Sequence, residues 1–488
     1  YGASAIGMLA SPHSTLEELA LAADLVRGLG SDNIDSRLRQ TDFSADGQRA
    51  GIPWLGMDIC DIAGLDAVLV VGSQLRKDHP LFAQRLRQAA KQGTKVFTIN
   101  AFADQSLISL TGEWVVVPSS WEQTLAELLV ALSELKKVPM PVGWSHVQPS
   151  IDTRTKAQIL IEQANTAIFL GNACVQHPAF SRLAVLAEAI ADLLGGKLGY
   201  LTEAANTVGA HVAGAVPRLQ GLNAAQMLSG SNNPLKAMLL LNTEPDFDSA
   251  DGQQARTALQ NIPFVVALSV FRSTVSAYAN IILPITPFTE TSGTFINCEG
   301  RAQSFQACTK ANGDSRPAWK VLRVLGNLLN LPGFDADSSE EVKQRVLPGV
   351  DGELRAGRLD NHIRRAVPVA ALILSEPSSH GLERIAEVPI YRADVLVRRS
   401  QPLQETRDSS IPLVRVHPET AALHGLTDGA AVNVSAQGKS GAQSTIRFDA
   451  GVAKGAVRFA AGHEISLNAG ALYEHLEVSA VMQEARQV

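Results

Sequence analysis

Few residues in this chain could hold a metal or act as a nucleophile. The four cysteines, Cys60, Cys174, Cys298 and Cys308, never fall into Cys-x-x-Cys, so no local iron–sulfur or zinc signature is present. Four scattered thiols in 488 residues are also no disulfide scaffold; they read as small buried hydrophobes of a reducing compartment. The eleven histidines show neither His-x-x-x-His nor His-Glu-x-x-His spacing, and no metal role is expected for them. Three of them precede proline, at His79-Pro80, His177-Pro178 and His417-Pro418, where proline in a first helical turn is explanation enough. One segment is dense in polar groups, Phe288 to Gln303. Its Thr, Asn, Glu and Arg side chains could bind a polar ligand, with Gly293 and Gly300 allowing close backbone approach. A connector that satisfies its own backbone reads equally well.

The elements around these residues alternate in type. Ala67 to Gly72 is a continuous apolar run bounded by glycine, as in a strand covered on both faces. A helix predicted from Pro80 to a stop at Gly93 and a strand Lys95 to Ile99 complete a β-α-β unit, so the sheet is parallel. Ser4 to Leu9 is another buried-strand run, followed by Ser14-Thr15-Leu16-Glu17 as a capping box. A second α/β series follows a Pro-rich link at Val138-Pro139-Met140-Pro141, with strands predicted at 167–171, 197–201, 236–241, 264–268 and 280–283. Composition changes after Ser375-Glu376-Pro377. Beyond it, short strands with glycine turns at 413–416, 431–434, 444–448 and 456–459 predict a small β-barrel. No Gly-x-Gly-x-x-Gly, P-loop or Gly-x-Ser-x-Gly motif follows any strand. Val71-Gly72-Ser73 and Leu170-Gly171-Asn172 lie at strand ends, where open α/β sheets place ligand crevices.

Composition bounds the function. A chain of 488 residues at about 100–200 per domain suggests roughly three domains. Its 45% hydrophobic and 18% charged residues describe a globular chain, and a net charge of −6 without a basic cluster argues against nucleic-acid binding. No stretch is long and apolar enough to span a membrane, so direct insertion is not expected. The first ten residues show no signal-peptide pattern and begin in a strand run without methionine, which reads as a fragment or processed chain.

The stretch Pro287-Phe288-Thr289-Glu290-Thr291-Ser292-Gly293-Thr294-Phe295-Ile296-Asn297-Cys298-Glu299-Gly300-Arg301-Ala302-Gln303, with Gly313-Asp314-Ser315-Arg316-Pro317-Ala318-Trp319-Lys320 after it, resembles the large G-type subunits of bacterial NADH:quinone oxidoreductases. Ile34-Asp35-Ser36-Arg37-Leu38-Arg39-Gln40 and Asn242-Thr243-Glu244-Pro245-Asp246 are similar to the same family, as are His417-Pro418-Glu419-Thr420-Ala421 and Gly425 to Val432. The resemblance covers essentially the whole chain. It places the chain in the molybdopterin oxidoreductase superfamily. It implies two Rossmann-like parallel-sheet lobes, one discontinuous, plus a C-terminal β-barrel: residues 1–36 with 200–385, then 37–199, then 386–488. It also implies a peripheral-arm subunit of respiratory complex I, held at the cytoplasmic face of the membrane through the other peripheral-arm subunits. The family's 2Fe-2S and 4Fe-4S clusters belong to an N-terminal region that these residues do not include.

Two departures bear on cofactors. Where formate dehydrogenase-like relatives carry a molybdenum-ligating Cys or selenocysteine, this sequence has Thr41-Asp42. Where active relatives carry an Asp-Pro-Arg turn for the guanosine end of the cofactor, it has Asn100-Ala101-Phe102. The resemblance therefore implies a relic pterin cleft, with Thr41, Asn100, Gly293, Thr294, Asn297, Gly300 and Arg301 as its residues and no catalytic or metal-binding side chain. Bound molybdopterin is not expected. The rival is an active molybdopterin-dependent enzyme of formate dehydrogenase or nitrate reductase type.

Overall fold

In the computed structural model the glycine-bounded apolar runs build two parallel sheets and a closed barrel. Residues 1–481 are described, apart from 104–105, 140–143, 145, 219, 231–232, 350–353, 355–357 and 364–380. The Pro-rich link around position 140 and the compositional break at 375–379 fall on or among the residues left out. The chain forms two compact units: Tyr1–Asp58, Gly199–Arg364 and Ala393–Gln404 make the first, and Ile59–Leu198, Arg365–Arg392 and Glu405–Val488 the second.

The first unit carries a five-stranded parallel sheet in the order Ile281–Pro284, Phe264–Ser269, Ala237–Leu241, Ile6–Ala10, Ile34–Asp35. Successive strands spread outward from Ile6–Ala10 in both directions, so the switch point of a doubly wound sheet lies between it and Ala237–Leu241. One face packs Met8, Leu19, Leu25 and Trp319; the other packs Leu9, Leu38, Met238 and Leu259. Burying two such faces is why the central strands Ile6–Ala10 and Ala237–Leu241 are continuous apolar runs rather than alternating ones.

Helix Leu16–Gly28 follows the first strand. Its N-cap is Thr15, whose hydroxyl accepts from Glu18 N–H while the Glu18 carboxylate accepts from Thr15 N–H. The capping box thus sits one residue later than the sequence pattern suggests, because Glu17 is committed elsewhere. Residues 37–58, read from the sequence as part of the second lobe, pack in the first unit. Leu38 enters its core, Ala50 N–H donates to His362 O (2.8 Å), and Leu55 N–H donates to Cys298 O (2.8 Å).

The second unit holds the other sheet, ordered Gly112–Val115, Lys95–Asn100, Ala67–Val71, Thr166–Leu170, Lys197–Tyr200. Its switch point lies between Ala67–Val71 and Thr166–Leu170. The same unit contains the barrel, closed in the order Leu382–Arg384, Ala456–Arg458, Val414–Val416, Ala442–Phe448, Ala431–Ala436, His475–Ala480. The barrel therefore starts before the position expected from sequence, at a three-residue strand too short to show a period. Val414, Val432, Ile446, Val457, Phe459 and Leu476 fill its interior. Within the unit, Ala103 N–H donates to Gly451 O (2.7 Å), and the Arg458 guanidinium lies 4.3 Å from the Phe102 ring centroid.

Of the three His-Pro pairs, Pro80 and Pro418 open helices Pro80–Lys91 and Pro418–Leu423. Pro178 does not: its helix is Phe180–Leu194, and the His177 ring accepts from Ala179 N–H ahead of it.

Candidate functional site

A doubly wound sheet holds ligands beyond the carboxyl ends of its strands at the switch point. In the second unit that place is filled by the protein's own side chains. The ends of Ala67–Val71 and Thr166–Leu170 come so close that a Cβ on Gly171 would stand 2.3 Å from Ser73 Cβ and 2.6 Å from Gly72 O. Asn100 ends the neighbouring strand. Its Oδ1 accepts from Ser73 N–H (3.0 Å) and its Nδ2 donates to Ser73 O (3.2 Å), which uses the amide to tie two strand ends together. Trp121 stacks on His177 at 5.4 Å, and Tyr473 meets the same ring edge-on at 4.9 Å. His177 Nδ1 accepts from Ala179 N–H and its Nε2 lies 3.1 Å from Pro118 O, an arrangement that suits the neutral ring with the proton on Nε2. Cys174 is fully buried here and burial pushes its thiol well up, so it is an inert packing group. Ser73 Oγ is buried without a partner among the described residues.

In the first unit the equivalent place holds a buried charge network. Glu244 and Asp248 follow the strand Ala237–Leu241, Arg39 follows Ile34–Asp35, and Arg398 and Arg399 come from the segment 393–404. Arg398 donates to Glu244 (3.0 Å) and to Asp248 (2.8 Å), with its side chain only 5% exposed and that of Glu244 1%. Arg39 bridges Glu203 (2.5 Å) and Asp248 (3.3 Å) and donates to Ala393 O (3.0 Å). Arg399 pairs with Glu244 and donates to Thr274 Oγ1 (2.9 Å). Three guanidiniums thus face three carboxylates. Burial alone would raise the Asp248 carboxyl, but Arg398 and Arg39 outweigh it and hold the group below the usual carboxylate range. Burial, with Arg39 nearby, lowers the adjacent His13 imidazole. Such a balanced, dry network fixes geometry; it leaves little positive charge to meet an anionic cofactor.

The residues singled out from the sequence spread over both units. Gly293–Ile296 and Ala302–Phe305 form an antiparallel hairpin, and Asn297 to Arg301 are its turn. Asn297 Oδ1 accepts from Arg301 N–H (2.9 Å) and Glu299 N–H (3.2 Å). Gly300 has φ +87°, and Arg301, half exposed, pairs with Glu299 at 3.2 Å. Gly293 abuts helix Leu16–Gly28: a Cβ there would stand 2.3 Å from Thr15 Cγ2. Thr294 donates its backbone N–H (2.9 Å) and hydroxyl (2.6 Å) to Glu17, a buried carboxylate raised by burial. Ile296 N–H donates to Asn206 Oδ1 (2.8 Å), whose Nδ2 donates to Ser14 O (2.8 Å). The polar density of this segment is thus spent on joining a hairpin to a helix start. Thr41 sits beside Gln40, whose amide donates to Asp42 O (2.7 Å). Asn100 stands in the second unit. The structure does not bring the seven into one cluster within a unit.

Sequence reasoning missed Glu203, Asp248, Arg398 and Arg399. The consecutive arginines and the acidic run Glu244-Pro245-Asp246-Phe247-Asp248 were visible, yet Glu244 and Arg398 are 154 residues apart. Among the described residues no group of three or more His, Cys, Asp or Glu side chains is placed to hold a metal ion, and no helix is long and apolar enough to cross a membrane.

The Glu18 carboxyl beside this hairpin carries a pH signature. Burial, with Glu17 nearby, pushes it up to about 7. The folded chain then keeps a proton that the unfolded chain releases above its ordinary carboxylate value. Stability contributed by this proton is present below that value and is lost as pH rises towards about 7. The slope is at most about 1.4 kcal/mol per pH unit. Glu18→Gln keeps the capping oxygen and removes the titration, so the fall in melting temperature from about pH 5 to about pH 7 should shrink in the variant. An unchanged pH profile would contradict this.

Residues 1–328 match the family model described as molybdopterin oxidoreductase. The chain belongs to the molybdopterin oxidoreductase family. Among curated relatives it is similar to the G subunit of the NADH-quinone oxidoreductase of Mycobacterium bovis, 27% identical over 459 residues that cover 88% of this chain and 53% of the relative. The namesake protein of Streptomyces coelicolor is 29% identical over 67% of this chain and 39% of its own. The F420-dependent formate dehydrogenase 1 subunit alpha of Methanococcus maripaludis is 22% identical over 71% of this chain and 60% of its own. The chain spans about half the length of the first of these relatives. Among solved structures, acetylene hydratase from Pelobacter acetylenicus superposes with a TM-score of 0.62 at 14% identity, covering 97% of this chain and 82% of that one. This likeness bears out the expected fold of two parallel-sheet lobes and a barrel.

Proposed function

We propose that this family member is part of the large peripheral-arm subunit of an NADH:quinone oxidoreductase and serves there as a scaffold that carries no molybdopterin. The observation that supports the scaffold reading is the filling of both switch points by the chain's own groups. In one unit the Asn100–Ser73 pair and the Trp121–His177–Tyr473 stack take up the space. In the other the guanidiniums that could meet a pyrophosphate are matched by Glu203, Glu244 and Asp248. Position 41 is threonine, which offers molybdenum no thiolate. Similarity across 88% of the chain to a G-type relative supports the complex.

In this reading electrons pass from NADH to quinone through iron–sulfur clusters outside these residues. The chain contributes surfaces that hold neighbouring peripheral-arm subunits at the cytoplasmic side of the membrane. The formate dehydrogenase reading shares the family but lacks the ligand at position 41. The test is to tag the natural full-length chain in its own host and purify under mild detergent. Recovery with NADH:quinone oxidoreductase activity is expected. Recovery with formate- or nitrate-linked activity and no NADH oxidation would overturn the proposal.

A further inference from the structure

The first unit has a cavity of about 850 Å³ beside helix Leu16–Gly28, and four arginines line it: Arg27, Arg218, Arg345 and Arg358. Small residues, Ala20, Gly28, Ala213 and Gly333, leave it room, and its volume is that of an ordinary small-ligand site. We infer that this cavity is a binding site for a multivalent phosphate anion.

The charge is what points to the ligand. Among the described residues only Asp24 lines the cavity with a negative charge, and it is taken by Arg345 at 2.7 Å. Arg27 pairs with Asp32 at 3.0 Å and donates to Val216 O (3.1 Å), which holds that guanidinium in place. Arg218 reaches the same Asp32 only at 3.9 Å and is largely exposed. Arg358 makes one long hydrogen bond, to Val346 O at 3.4 Å, and has no carboxylate partner among the described residues. Among the described residues, four guanidiniums against the carboxylates of Asp24 and Asp32 leave two positive charges at one concave surface. Gathering like charges costs energy unless an anion joins them, and the guanidinium fork matches phosphate oxygens two at a time. Two anchored arginines and two without full partners are the arrangement of a preformed anion site. No aromatic side chain lines the cavity among the described residues, so the phosphates rather than a stacked base would carry recognition.

The test is calorimetric titration of the full chain with inorganic pyrophosphate at low salt, in parallel with ADP. Saturable binding at one site per chain, weakening as salt rises, is expected. The variant Arg218→Gln/Arg358→Gln should bind about tenfold or more weakly, since each charge-assisted hydrogen bond removed is worth about that factor. Both side chains lie at the surface, and unchanged melting temperature would show the variant folds. The control Arg447→Gln/Lys454→Gln, which removes two exposed cations of the second unit, should bind as the parent does. ADP binding as tightly as pyrophosphate, or more tightly, would assign the phosphates to a nucleotide. Pyrophosphate alone would assign them to an inorganic source. Absence of saturable binding up to millimolar ligand, or equal losses in both double variants, would overturn the inference.

Discussion

Replacing Glu244 by alanine should destabilise the first unit by about 3–5 kcal/mol, the range for stripping one partner from a buried charge pair. Glu244 is 1% exposed at its side chain and accepts from both Arg398 and Arg399. Without it, Arg398 keeps Asp248, and Arg399 keeps Ser273 and Thr274, hydroxyls that carry no compensating charge. The loss should appear in urea unfolding followed by a probe in the first unit, such as Trp319. A change below about 1 kcal/mol would mean that the network is solvated and does not hold the 393–404 segment in place.

Trp121→Ala should cost about 3–5 kcal/mol in the second unit, as large aromatic truncations in cores do. Trp121 is 1% exposed, stacks on His177, and lies where a Cβ on Gly72 would already meet its ring at 2.8 Å. The indole is the largest body in the strand-end crevice, so its removal opens space at the point where the fold would otherwise hold a ligand. Thermal unfolding with a near-ultraviolet signal reads the loss. Retention of parental stability would show that the crevice collapses around the missing ring, and that Trp121 is not what fills it.

Much of the architecture was legible because parallel sheets buried on both faces need uninterrupted apolar runs. Ala67 to Val71 and Lys236 to Leu241 announce themselves as strands for that reason. Four of the six barrel strands were legible through glycine turns; Leu382–Arg384 is too short for any period to show, and His475–Ala480 is not among the predicted strands. The N-cap slipped by one residue because Ser14-Thr15 and Glu17-Glu18 offer two overlapping capping boxes. Only the distant Thr294, by engaging Glu17, decides between them. The polar segment 288–303 could be read as ligand cradle or connector from its composition. What resolves its chemistry is its packing on Thr15, Glu17 and Asn206, none of them near it in sequence. The charge network was invisible for the same physical reason: ion pairs across 150 residues leave no local pattern.

The scaffold reading rests on one property, that the switch points are closed by the protein itself. Molybdenum and pterin content of the natural full-length chain, purified from a molybdenum-replete host, tests it. Molybdenum is read by mass spectrometry and pterin by fluorescence after oxidative denaturation. The expected result is folded protein with molybdenum far below one atom per chain and no pterin fluorescence. Close to one molybdenum per chain, together with pterin, would contradict it.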